Sequence, residues 1–267
     1  LNFRNTYSFF GNRLEITPTV IYSQLNDIQN SVNPSYTYPY AQFVSDDGKA
    51  LDIARYNSFF LDTVGQNRLL DWTYSPYDEL NHTDNTINTT DIKANLGVFY
   101  KVFDWLSLDA RYQYGNGNRN NRNHFSQETY YTRDLINQFS YFNSNNEIVR
   151  PIPLGGILNQ NLNTYTAHQI RGQINLQKSW GRHSMSAIMG SEISDLSNVS
   201  RSNRVYGYNE ERETSGIVDF VGRYTSMVTG LTNLQISPNQ GMQSLSDRFV
   251  SFYANGSYHF DDKYILT

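Results

Sequence analysis

The sequence predicts an all-β fold, an antiparallel up-and-down sheet forming part of a transmembrane β-barrel. Three observations predict it. Apolar residues recur at every second position, short and long connections alternate without exception, and aromatic residues gather at both ends of the apolar rows. A period of two puts one row on each face of a strand. In a barrel, the short turns are periplasmic and the long loops extracellular.

The first strand carries Phe3, Tyr7 and Phe9 between Asn2, Arg4, Thr6 and Ser8. Gly11 and Asn12 turn it into a second, in which Leu14, Ile16, Val20 and Tyr22 alternate with Arg13, Glu15, Thr17 and Thr19. Asn5 interrupts the apolar row, and Pro18 falls mid-strand, where a closed sheet has no free edge to accept it; a bulge is expected there. The third strand holds Ile92, Ala94, Leu96, Val98, Tyr100 and Val102 against Lys93, Asn95, Gly97 and Lys101. After a turn at Phe103 and Asp104, the fourth holds Leu106, Leu108, Ala110, Tyr112 and Tyr114 against Ser107, Asp109, Arg111 and Gln113. Ile170, Gly172, Ile174 and Leu176 form the fifth, and a turn at Gly181 and Arg182 leads to a sixth through Met185, Ala187 and Met189. Val250, Phe252, Ala254, Gly256, Tyr258 and Phe260 form the seventh, and Asp261 and Asp262 turn into the last, "KYILT".

Long connections are expected over residues 23–90, 115–164 and 195–246, so every long loop lies at one rim. Phe9, Phe10, Phe103, Trp105, Trp180, Phe260 and Tyr264 mark the short-turn rim, and Tyr22, Tyr112, Tyr114 and Tyr165 the other. Two aromatic belts around an aliphatic band suit the two interfaces of a bilayer. Lipid tolerates no unpaired backbone amide, so strands cross it only as a closed sheet with an apolar outside. The first segment opens inside a strand and the last is short, so the chain reads as an arc of a larger wall.

Composition agrees. Aromatic residues make up 15% of the 267, with 21 Tyr and 15 Phe, while charged residues are 17%. Mean hydropathy is −0.60, and no apolar run approaches the roughly 20 residues of a helical span. A net charge of −4 and no cysteine give no reason to expect nucleic-acid binding and exclude disulfides and thiolate metal sites. No basic-then-apolar start marks a signal peptide, which fits a mature chain or an excised piece.

Residues 247–267, "DRFVSFYANGSYHFDDKYILT", resemble the late-barrel segment of SusC/RagA-type TonB-dependent outer-membrane transporters. Ser251, Phe252, Ala254, Tyr258, Asp262, Lys263, Tyr264, Leu266 and Thr267 carry the match. The stretch "DWLSLDARYQY" is similar to the hairpins of that family, while the Arg/Asp/Ser-rich signature that usually follows is not reached. The resemblance implies that residues 1–267 are part of the β-barrel domain, without the plug. It implies an outer membrane of a Gram-negative, Bacteroidetes-like bacterium and import of oligosaccharides or peptides. Implied partners are a SusD-like surface lipoprotein lid and TonB–ExbB–ExbD, which contacts the absent N-terminal part. A passive porin-like channel and a soluble carbohydrate-binding β-module are the competing readings.

No catalytic constellation appears, and the chain is not expected to be an enzyme or to hold a cofactor. The adjacent acids Asp46–Asp47, Asp78–Glu79, Glu210–Glu211 and Asp261–Asp262 would diverge on an extended chain. His82, His124, His168, His183 and His259 are scattered, "SDDGKALD" lacks calcium-loop order, and "GNGNRNNRN" reads as a hydrated loop. The sequons at Asn81 and Asn88 match a pattern that is common by chance. Contact groups are expected in the loops: Trp72, Tyr74, Tyr77 and Asp78 in one, Tyr130, Tyr131 and Arg133 in another. Aromatic platforms beside acids suit a sugar or a peptide, and the same rings also suit packing of loop on loop.

Overall fold

The computed structural model describes residues 1–30, 40–261 and 264–267. Its strands are β1 (Asn2–Arg4), β2 (Tyr7–Phe9), β3 (Leu14–Ile28), β4 (Thr83–Phe103), β5 (Leu106–Phe125), β6 (Tyr141–Phe142), β7 (Ile148–Val149), β8 (Gly156–Trp180), β9 (His183–Tyr208), β10 (Gly241–Phe260) and β11 (Tyr264–Leu266). Three short helices, α1 (Ser58–Thr63), α2 (Pro76–His82) and α3 (Tyr130–Phe139), lie in the connections. All pairings in the main sheet are antiparallel, in the order β1–β3–β4–β5–β8–β9–β10–β11, with β2 also on β3. The sheet is open: among the described residues nothing pairs its two outer edges. The β6–β7 hairpin stands apart.

Register sorts the side chains. Pro18, Leu96, Tyr112, Ile170, Ile193 and Val250 stand side by side on one face. Four residues toward the short turns, Leu14, Tyr100, Leu108, Ile174, Met189 and Ala254 do the same. This face has no second layer: Leu96 is 43% exposed, Ile170 52% and Val250 58%. A half-buried soluble sheet would cover them, since each such side chain gains about 1.5–3 kcal/mol on leaving water. The apolar rows run about nine to eleven residues per strand, the length of a tilted crossing. The opposite face carries Thr17, Gly97, Arg111, Arg171, Glu192 and Ser251 in one row. No described helix is long and apolar enough to cross a membrane, which says nothing of strands.

Several expectations need correction. The strands are far longer than the alternation indicates, 21 residues in β4, 25 in β8 and 26 in β9, so the long loops are correspondingly shorter. Past Tyr22 and Ile92 the strands carry Asn, Thr and Ser on both faces; the hydrogen-bond ladder continues but the hydropathy period vanishes. "GNGNRNNRN" is therefore strand, paired throughout with β4 and β8, and not a loop. Pro18 makes no bulge: Arg4 pairs with Thr19 and Tyr7 with Ile16, one unbroken register. The Asn5 N–H donates to the Pro18 carbonyl at 3.3 Å, so the missing proline N–H faces the short first strand, and only β1 and β2 are parted. Tyr165 lies in the row of Asp91 and Gly117, on the polar face, and does not join the outer belt. The second turn is Asp104–Trp105, one residue later than expected. Asp262 and Lys263 lie outside the described residues.

The loops at the far rim fold. Asn57 caps α1 by accepting from the Phe59 N–H, Ser75 caps α2 with Pro76 at its first position, and Thr129 caps α3. Two clusters form beneath them. Ile136, Phe139, Ile152, Ile157, Tyr206 and Ile236 make one, Ile53, Trp72, Tyr74 and Tyr130 the other. The result is a small folded cap seated on the ends of β8 and β9.

Candidate functional site

The cap gathers four of the expected contact residues. Trp72, Tyr74 and Tyr130 are between 6% and 8% exposed, with Tyr74 and Tyr130 edge to face at 5.1 Å. The Trp72 indole N–H donates to Asp134 Oδ1 at 3.2 Å, and the Tyr56 hydroxyl reaches the same oxygen at 3.0 Å. Burial, then Asp134, raises the Tyr56 pKa. Arg133 donates to the Asp71 carbonyl, Asp71 Oδ2 and the Thr73 carbonyl, so its guanidinium holds the segment leading into α2. These groups serve the interior of the cap. Tyr77, Asp78 and Tyr131 lie at its surface, and Tyr131 leans on Phe125 with ring centres 4.9 Å apart. A cleft of about 730 Å³ opens beside Asp52, Arg55, Asp71 and the edge of Trp72.

Buried polar groups hold the cap together. Glu79, 8% exposed, accepts the Tyr130 N–H at 2.6 Å, joining α2 to the start of α3, where a carboxylate is favoured. Burial raises its pKa, opposed by that N–H and by Arg133. At the outer rim Arg122 bridges Asp84 and Glu210, and His124 Nδ1 lies 3.6 Å from Glu210 Oε2. Burial lowers the His124 pKa; Glu210 and Asp84 oppose this and Arg122 adds to it.

The polar face of the sheet holds two concavities that loop composition did not point to. The lower, about 620 Å³, is lined by Arg4, Glu15, Asn95, Arg111, Arg171 and Glu192 among others. Arg111 and Arg171 stand directly opposite each other; Arg111 turns to Asp109 at 2.9 Å, and Arg171 to the Tyr253 hydroxyl at 2.9 Å. The upper, about 360 Å³, surrounds Tyr165. Twice on this face a tyrosine stands opposite a glycine, Tyr165 with Gly117 in the upper concavity and Tyr253 with Gly190 nearby on β10 and β9. A Cβ at Gly117 would meet Tyr165 Cε1 at 2.2 Å, and one at Gly190 would meet Tyr253 Cζ at 2.4 Å. Each ring thus lies on bare backbone. The readable signal was glycine on the polar row of a strand, hidden because "GNGN" resembles turn chemistry. Among the described residues no three His, Asp or Glu side chains converge as metal ligands.

No family model matches the chain, and no curated protein matches it. Solved structures do. A chain of the structure of the RagAB peptide transporter matches with a TM-score of 0.58 at 12% identity, over 97% of this chain and 26% of that one. Chains of the RagAB peptide importer in its closed-closed and open-open states match with TM-scores of 0.58 and 0.57, at 13% and 14% identity, each over 97% of this chain and 25% of theirs. The chain thus spans about a quarter of the length of the solved proteins it matches. At such identity the likeness is one of fold: this chain resembles part of a peptide-transporter chain in its all-β, antiparallel architecture.

Proposed function

We propose that this chain is part of the wall of a SusC/RagA-like outer-membrane β-barrel that actively imports peptides or oligosaccharides. The observation that carries it is the uncovered aliphatic face of β3–β10, bounded by short turns at one rim and by a folded cap at the other. The likeness to a peptide importer supports it. In this reading the aliphatic face meets lipid, the polar face lines the lumen, and the cap forms part of the entrance. A SusD-like lipoprotein covers the cap, and TonB–ExbB–ExbD drives uptake through a segment outside this chain. The wall residues bind and guide; no chemistry is performed on the cargo.

The test compares Leu96→Arg with Asn95→Arg in the full-length protein. Leu96 faces outward, where a midplane cation costs up to about 2–4 kcal/mol, and Asn95 faces inward. The expected result is loss of the heat-modifiable outer-membrane form in the first variant and its retention in the second. Equal assembly of both would overturn the lipid–lumen assignment. Energy dependence of uptake separates this reading from a passive channel.

A further inference from the structure

Tyr165 is held by more than packing. Its ring lies on the main chain of Gly117 and Gly115, where added Cβ atoms would meet ring carbons at 2.2 and 3.4 Å. Its hydroxyl donates to Asp91 on β4. Glycine below and a carboxylate at the tip leave the ring flat on the sheet, one face against backbone and the other toward the upper concavity. The tyrosine is pre-set before any ligand arrives, so ordering it on binding costs little.

What surrounds the ring sets the ligand class. Asn163, Asn198, Ser200, Gln243 and Thr89 line the same concavity with amides and hydroxyls. Asp91 is already engaged by Tyr165 and by Lys93 at 3.8 Å, which leaves Arg119 as the one other charge in the lining. The lower concavity differs, since Arg4, Arg111 and Arg171 face Glu15, Asp109 and Glu192 there.

We infer that the Tyr165 shelf is a subsite for a neutral pyranose unit of an oligosaccharide. The sugar's C–H face stacks on the tyrosine ring while its hydroxyls exchange hydrogen bonds with the surrounding amides. An anionic sugar would meet the Asp91 carboxylate, with Arg119 the one cation in the lining, whereas the surrounding amides and hydroxyls match the uncharged hydroxyls of a neutral sugar. This deepens the importer reading and rests on the polar face being the lumen.

The full-length protein in detergent micelles is titrated calorimetrically with maltohexaose, cellohexaose, xylohexaose and mannohexaose, with hexagalacturonate as the anionic arm and a mixed decapeptide pool as the peptide arm. At least one neutral hexasaccharide is expected to bind, and Tyr165→Ala to weaken it about tenfold or more. Tyr165→Phe, which keeps the ring over Gly117, is expected to stay within about threefold of wild type. Binding by no neutral hexasaccharide overturns the inference, as does Tyr165→Ala binding at wild-type strength. Tyr165 dependence of hexagalacturonate or of decapeptides alone overturns the neutral-sugar class. A variant that loses its heat-modifiable form is replaced by Asn163→Ala, for which the same weakening is expected and wild-type binding would overturn the site. Retention of that form keeps the barrel reading intact however the titrations fall.

Discussion

Asn137 closes both hydrogen bonds of its side-chain amide on the main chain of Leu70. Asn137 Oδ1 accepts the Leu70 N–H at 2.9 Å, and its Nδ2 donates to the Leu70 carbonyl at 2.8 Å. Asn137 is fully buried on α3, while Leu70 belongs to a different loop, so this amide ties two connections together. Asn137→Ala leaves two half-buried main-chain groups of Leu70 without these partners. The expected cost is about 2–3 kcal/mol, read as a roughly 30- to 150-fold loss of hydrogen-exchange protection at the Leu70 amide.

Glu79 makes the same region respond to pH. Its folded-state pKa is raised above 4.5, so the folded cap holds this proton more tightly than the unfolded chain does. Its favourable contribution is present at acid pH and is lost as pH rises through the raised value. Glu79→Gln keeps an acceptor for the Tyr130 N–H and removes the charge. The variant cap should be the more stable at pH 7.5 and converge with wild type as pH falls toward 4.5, measured by exchange over α2 and α3.

His124 acts in the opposite sense. Its pKa is lowered from 6.5 chiefly by burial, so the folded rim favours the neutral ring. That stability is present above 6.5 and is lost as pH falls through the lowered value. Exchange at the rim around Asp84 and Glu210 should quicken on acidification below 6.5. In His124→Phe, whose ring still meets Tyr208, this part of the pH response should disappear.

Gly117 and Tyr165 should couple. Gly117→Ala drives a methyl into the Tyr165 ring and is expected to cost about 1–3 kcal/mol through overpacking. In a Tyr165→Ala background the cost should fall by about 1 kcal/mol or more, measured by unfolding in micelles as a double-mutant cycle. Additive costs would mean that the ring and the glycine do not press on each other.

The legible part of this fold is the part that lipid-like patterning dictates. Between Ile92 and Tyr100 the row contrast is strong, and it placed the lower half of β4 and its faces, and its turn to within a residue. Beyond Ile92, Asn88, Thr89 and Thr90 are polar on both faces, and nothing in such a run says that pairing continues. The helices of the cap hid for another reason: α1, α2 and α3 span only 6, 7 and 10 residues, too short for a periodic signal, although Ser75-Pro76 and Thr129 are readable caps. The aromatic residues of the loops were visible as a group, yet composition does not say whether a ring faces inward. Tyr165 was visible as well, but its place opposite Gly117 depends on register, which only strand pairing reveals.

The twelve residues of β8 from Gly156 to Ala167 lie beyond the apolar band, and at about 3.3 Å each they rise some 30–40 Å before tilt is considered. Hydrogen bonds to β5 and β9 continue along this rise. The cap therefore stands on a stiff stalk, at a set height, with no flexible hinge beneath it. A visiting molecule meets a tower, and any nodding of its top has to come from bending the whole stalk.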